Sequence, residues 1–162
     1  MAIKLVISGE SNAGKTTLTK DVKDTLVISH DGKKYPFPVP HGTITEFDTT
    51  ADLITFIEMK AGAYHDKFGA MPKTIVFDSV SRIYETLHAS CSRKYTGFTI
   101  FSQLDKEIKE FADYIENTLV ANGIDVIILS HALYNAETSK YELVGKGSFN
   151  KLGGLIGSPL AA

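Results

Sequence analysis

The chain has 162 residues, 43% of them hydrophobic, and a formal net charge of −2. That length allows one domain with a buried core, and the near-neutral charge excludes a global field drawing the protein to nucleic acid or anionic membrane; any polyanion contact must come from a local patch. The lone cysteine, Cys91, excludes an intramolecular disulfide and suits a reducing compartment, and no apolar run approaches the ~20 residues that cross a bilayer.

Ile3–Ser8 reads as a short buried strand, and Gly9-Glu10-Ser11-Asn12-Ala13-Gly14-Lys15-Thr16-Thr17 follows it. A helix is expected from about Gly14 to Asp24. Because the N-terminal apolar run stops at Gly9, no signal peptide is expected and the cytoplasm is the expected compartment. Thr25–Ser29 is a second strand, closed by the turn His30-Asp31-Gly32-Lys33. Three prolines make Tyr35–Pro40 an extended connection, and a short strand is expected near Thr43–Phe47. Asp48 or Thr49 can cap a helix over Thr50–Lys60, and the glycines from Gly62 to Pro72 predict a loop. Lys73–Asp78 is an apolar strand ending in an acid, and Ser79–Lys94 is expected to be helical. Phe101, Leu104, Ile108, Phe111, Ile115 and Leu119 step by three or four residues, which predicts a helix that Gly123 ends. Ile124–His131 is a further buried strand. Leu133–Glu137 and Lys140–Val144 read as a hairpin turning at Thr138-Ser139, and the glycine-rich remainder shows no clear further strand.

Alternating strands and helices predict an α/β fold with a mostly parallel sheet and a C-terminal hairpin, as one domain over 1–162. Within it, Gly9–Thr17 fits the phosphate-loop pattern G-x-x-x-x-G-K-[ST] at every fixed position, between a strand and a helix. Its glycines let successive N–H groups converge on phosphate oxygens, and the helix dipole points to the same place. Lys15 would reach the β- and γ-phosphates, and the Thr16 hydroxyl is placed to ligate Mg²⁺. Asp78, at a strand end about sixty residues later, is the second metal candidate; Ser79 follows it where helicase-like ATPases carry a second acid. Ser130 and His131 end the last apolar strand and are candidates to sense the γ-phosphate or attacking water.

These blocks carry a resemblance. The loop and Phe77-Asp78-Ser79-Val80-Ser81 resemble their counterparts in RecA-type recombination ATPases, and Ser130-His131 followed by a hairpin is similar to that family's sensor strand and DNA-facing loop. The whole looks most like the compact RecA-core NTP-binding proteins of bacteriophages, some of which act in single-strand annealing. The resemblance implies a three-layer RecA-like P-loop core, ATP with Mg²⁺, and a water-activating glutamate after the second strand. That strand ends in His30-Asp31-Gly32, so Asp31 is the nearest substitute and Glu46 a weaker candidate. It also implies cations beyond the hairpin reaching a neighbouring subunit's nucleotide, where Lys146 and Lys151 fall, and hence a homo-oligomer with ATP at the subunit interface. Single-stranded DNA would meet residues 138–157, which carry Lys140, Lys146 and Lys151 with Tyr141 and Phe149 as stacking groups. The family's final strands are expected to be missing past Leu155-Ile156-Gly157, which predicts a C-terminally truncated or small sheet.

Three functions compete: a Mg²⁺-dependent ATPase acting on DNA, a small-molecule or nucleotide kinase, and a nucleotide-dependent assembly protein with little turnover. Kinases lean on several arginines to neutralise the transferred charge, whereas this chain has only Arg82 and Arg93. A small-GTPase reading fails, because Asp78-Ser79-Val80-Ser81 lacks Asp-x-x-Gly and Asn150-Lys151-Leu152-Gly153 lacks the acid that reads guanine.

Overall fold

The computed structural model describes residues 2–9, 20–30, 32, 37–135, 137, 140–143 and 159–161. Seven strands form one sheet: Lys4–Gly9 (β1), Thr25–Ser29 (β2), His41–Thr43 (β3), Thr74–Asp78 (β4), Asp125–Asn135 (β5), Lys140–Leu143 (β6) and Pro159–Ala161 (β7). The order is β3-β2-β4-β5-β1-β7, parallel throughout, and β6 runs antiparallel to the outer end of β5. Strands buried on both faces need apolar side chains in continuous runs, not in alternation. Leu26-Val27-Ile28, Ile75-Val76-Phe77 and Val126–Leu129 are such runs, each residue buried. The fold is therefore the α/β class expected, with a mostly parallel sheet and a C-terminal antiparallel pair.

The described helices are Thr50–Phe68 (α1), Val80–Lys94 (α2) and Phe98–Tyr114 (α3), all packed on one face of the sheet. On that face Ile28, Phe77 and Ile128 meet Leu53, Ile57, Ile83, Leu87, Leu104 and Phe111; the Phe77 and Phe111 rings pack edge to face at 5.2 Å. Thr49 and Asp52 form a reciprocal capping box at the start of α1. The Thr50 N–H donates to Glu107 Oε2 at 2.7 Å and the Thr50 hydroxyl to the Glu107 carbonyl at 2.8 Å, tying the start of α1 to the middle of α3. The opposite face carries Val27, Val76, Ile127 and Leu129, packed by Leu5, Ile7, Val22 and Val39.

Several expectations need correction. The loop expected from Gly62 to Pro72 is helical through Phe68, ending where Gly69 adopts φ 78°. A helical glycine costs ~1 kcal/mol against alanine, but burial of Ala61 and Tyr64 against the core outweighs it. The strand expected near Thr43–Phe47 lies earlier, at His41–Thr43; the Ile44 N–H still bonds the Ser29 carbonyl at 2.9 Å before the chain leaves the edge. The helix expected to reach Asp24 is already turn at Lys20–Asp21 and bend at Lys23–Asp24, because Asp24 must accept from Lys73 and Thr74 as β2 and β4 pair. Ile124–His131 and the first hairpin arm are a single strand, β5; the turn expected at Thr138-Ser139 lies outside the described residues. Beyond Gly157 the chain does supply another strand, β7, whose Pro159–Ala161 pairs with Val6–Ser8. Phe101 follows the core periodicity of α3 yet is 51% exposed, since the first turns of that helix extend past the start of α1.

After Tyr114 the helix widens into a π turn over Ile115–Leu119 and tightens to 3₁₀ over Val120–Asn122, and Gly123 closes it at φ 82° as expected. Tyr114 is buried there, and its phenol is pushed up to about 12, first by burial and then by the Glu58 charge. A raised acid favours the neutral form in the folded state. Its stabilising contribution is therefore complete below pH 10 and lost as pH rises towards 12. Tyr114→Phe should flatten the fall in melting temperature across that window. An unchanged slope would shift the alkaline loss to Tyr64 and Tyr84, whose phenols burial also pushes up.

Candidate functional site

Ligands of open parallel sheets sit beyond the carboxyl ends of the strands, where neighbouring connections diverge. Here four adjacent strands change in the same way at one level of the sheet, an apolar run giving way to small or polar residues: Ser8-Gly9 on β1, Ser130-His131 within β5, Asp78-Ser79 at the end of β4 and Ser29-His30 at the end of β2. Hydrogen-bond register aligns them. Ser8 pairs with Ser130 and Gly9 with His131, while Asp78 stands between Leu129 and Ser29. Thus β5 separates β1, which leads into the phosphate-loop sequence, from β4, which carries the acid.

Alternation along the strands settles which face each described side chain takes. Asp78 and Ser29 share the face of Val76 and Val27, opposite α1, α2 and α3. Ser29 is buried, so its hydroxyl and the Asp78 carboxylate are neighbouring oxygen groups at the sheet's carboxyl edge. The Asp78 carbonyl accepts the His30 N–H at 2.8 Å, which extends the β2–β4 ladder past the last paired residues. The Asp78–Ser79 peptide is cis. Ser79 then stands at the N-cap of α2; its hydroxyl is buried, with no hydrogen-bond partner among the described residues and no cap bond.

Ser130 is fully buried and turns to the other face, its Oγ 3.5 Å from Ser81 Oγ on α2. The structure thus holds Ser130 and Asp78 on opposite faces of the sheet, one residue apart in register, and does not bring the two side chains together. The backbone of His131 is paired with Gly9, at the end of β1.

Glu46 lies elsewhere. With Asp48, Asp52 and Glu85 it lines a groove of about 850 Å³ between the loop after β3 and α2, and both arginines of the chain line the same groove. Arg82 Nη1 bonds Glu85 Oε2 at 2.8 Å, and Arg93 Nη2 meets Asp48 Oδ1 at 3.4 Å. The Asp48 carbonyl also accepts the Ser90 hydroxyl at 2.8 Å, which fixes the loop to α2.

Of the remaining sequence candidates, Gly9 ends β1, whereas Glu10, Ser11, Asn12, Ala13, Gly14, Lys15, Thr16, Thr17, Asp31, Lys146 and Lys151 lie outside the described residues. Sequence reasoning passed over Ser29, Ser79 and Ser81. The signal for Ser29 and Ser79 was the serine that closes or follows an apolar strand, a pattern visible only when the four strands are compared; Ser81, inside α2, carries no such signal. Among the described residues, no cluster of three or more His, Cys, Asp or Glu side chains could hold a metal unaided. Nor is any described helix long and apolar enough to cross a membrane.

A family model described as AAA domain (AAA_24) matches residues 1–152. No curated protein matches the chain.

Proposed function

The chain belongs to the AAA domain family, a nucleotide-binding, P-loop NTPase-like family, and on that premise we propose that it is a Mg²⁺-dependent, RecA-like ATPase acting on single-stranded DNA. The observation that carries the reading is the order β1-β5-β4. It sets the acid of Asp78 two strands from the phosphate-loop strand, with β5 between them. Lys15 holds the β- and γ-phosphates, and Thr16 and Asp78 hold Mg²⁺.

The donor set suits that metal. Mg²⁺ prefers hard oxygen ligands, keeps several waters, and takes only one or two protein groups beside substrate phosphate. Among the described residues one carboxylate with hydroxyl neighbours stands at this edge, which fits that preference better than an all-protein cage does. The buried Ser79 hydroxyl, without a hydrogen-bond partner among the described residues, is the kind of group that a phosphate oxygen or a metal-bound water satisfies. When bound, the metal neutralises charge on the β- and γ-phosphates.

The nucleotide kinase reading is weaker. An acceptor phosphate needs a cationic pocket, yet the groove holding Arg82 and Arg93 lines them with Glu46, Asp48, Asp52 and Glu85. The assembly reading keeps one support: β2 ends in Ser29-His30, with no glutamate to activate water, and Glu46 stands in the arginine groove. Asp31 remains the candidate base. Lys146 and Lys151 are candidates to reach a neighbouring copy's nucleotide, and residues 138–157 to contact DNA.

The experiment is ATP turnover with and without single-stranded DNA, monitoring assembly state alongside. Stimulation by DNA that fades with added salt supports the reading. Turnover that responds to a nucleoside monophosphate and ignores DNA would replace it with the kinase. Binding that changes assembly without hydrolysis would replace it with the assembly protein.

A further inference from the structure

α2 opens on a serine whose hydroxyl makes no bond to its own helix. Ser79 has N-cap backbone, φ −125° and ψ 155°, and an N-cap serine ordinarily accepts the N–H two or three residues on. Thr49 does so at the start of α1 from nearly the same backbone, its Oγ accepting the Asp52 N–H at 3.2 Å. At α2 the equivalent Arg82 N–H donates instead to the Ser79 carbonyl at 3.2 Å. Other hydroxyls in the helical layer are engaged: Ser90 donates to the Asp48 carbonyl and Thr50 to that of Glu107, each at 2.8 Å. Among the described residues the Ser79 hydroxyl is the one buried hydroxyl without a hydrogen-bond partner, in a residue only 2% exposed. Such a group costs stability. Kept at the carboxyl edge of a parallel sheet, where ligands bind, it points to a ligand as its partner.

We propose that Ser79 and the first turn of α2 form a subsite for a tetrahedral oxyanion, namely phosphate. The donors set the chemistry. A 15-residue helix directs its first N–H groups and the positive end of its dipole beyond its own start. The Ser79 hydroxyl adds a further donor at the same place. Asp78 turns to the opposite face of the sheet, which keeps its carboxylate away from the anion. Neutral donors of this kind hold phosphate by hydrogen bonds and weakly enough to release it.

The inference rests on the proposed ATPase function in one respect, the source of the phosphate. Neighbouring strands lie ~4.8 Å apart, so the two-strand step from β1 to β4 sets Ser79 about 10 Å from the end of β1. A nucleotide anchored at Gly9–Thr17 would bring only its last phosphate that far, as the γ-phosphate before cleavage or as free phosphate after it. Phosphate held after cleavage would leave slowly and rebind, so turnover would fall as product accumulates. A metal-bound water is the rival partner for the hydroxyl, but a neutral water gains less from the helix N-terminus than an anion does.

Thermal melting and calorimetric titration of the full chain with inorganic phosphate, at constant ionic strength held with chloride, test the subsite without nucleotide. Phosphate should raise the parent's melting temperature saturably, in the millimolar range that a few hydrogen bonds support. Ser79→Ala should melt higher than the parent in phosphate-free buffer, because a buried hydroxyl without a bond is gone, and should bind phosphate at least ~10-fold more weakly. Ser90→Ala, which deletes a bonded hydroxyl of the same helix, should melt lower and keep the phosphate response. Titrations with a non-hydrolysable ATP analogue, and with phosphate in the presence of ADP, separate the two sources. Weaker analogue binding by Ser79→Ala places the γ-phosphate in the subsite, whereas a loss confined to phosphate with ADP places the product there. The proposal is overturned by a parent that ignores phosphate with and without ADP, or by a response that chloride reproduces or Ser79→Ala retains. A Ser79→Ala chain that melts lower without phosphate, or changes only in its Mg²⁺ requirement, overturns it as well. ATP binding without a phosphate response would remove the subsite and leave the ATPase reading standing; a phosphate response without ATP binding would do the reverse.

Discussion

Lys15→Ala should weaken ATP binding by about 100-fold or more while leaving the fold intact. Hydrogen bonds to charged groups contribute ~1.5–3 kcal/mol each, and an ammonium bridging the β- and γ-phosphates makes two. Each 1.4 kcal/mol is tenfold in affinity, so the loss amounts to at least ~2 tenfold steps. The remaining loop still presents backbone N–H groups and the helix dipole, which explains why a residual affinity persists. Calorimetric titration with ATP and with ADP separates the contributions, for ADP lacks the γ-phosphate and should lose less. Affinity for ATP equal to the parent's would overturn nucleotide binding by the Gly9–Thr17 segment, and with it the basis of the proposed function.

The strands that position this site were legible because parallel strands buried on both faces leave a plain mark in sequence. Leu26-Val27-Ile28 and Ile75-Val76-Phe77 are short apolar runs closed by polar residues, and β2 spans the predicted residues while β4 starts one residue late. Asp78 was legible for the same reason: an acid after such a run can only sit at the carboxyl edge. The misses have a common cause, namely that local rules were applied where tertiary contacts decided. Gly62 reads as a breaker, but the core contacts of Ala61 and Tyr64 carry α1 through it. Pro159–Ala161 has no periodicity to recognise; its three residues are a strand only because β1 offers an open edge to pair with. Phe101 obeys the helical period of the core yet precedes the stretch of α3 that packs on α1. Likewise Ser130 was expected to face the phosphates on the strength of its place at a strand end. Register decides otherwise: one residue of offset from Asp78 turns it to α2 and Ser81.

Asp78 is the acid that the described strand ends bring to the face proposed to hold the metal. Asp78→Asn should keep ATP affinity within about tenfold and lower kcat by roughly 10²–10³-fold, the range seen when one group that stabilises transition-state charge is removed. The amide has the shape of the carboxylate but neither its charge nor its second acceptor oxygen, so it holds a hydrated Mg²⁺ poorly. Phosphate and water would supply most of the coordination of a bound Mg²⁺, so binding should survive better than turnover. Turnover measured across a Mg²⁺ titration should show half-saturation moved to higher metal concentration, with Mn²⁺ restoring part of the rate. A structural role predicts something else. If Asp78 served only to end β4 and start α2, the variant would lose melting temperature and keep the parent's metal requirement at whatever rate remained. Unaltered metal dependence would therefore remove Asp78 from the metal site. The charge holding Mg²⁺ would then have to come from an acid that the strand order does not bring to this edge, and the two-strand spacing from β1 would lose its functional meaning.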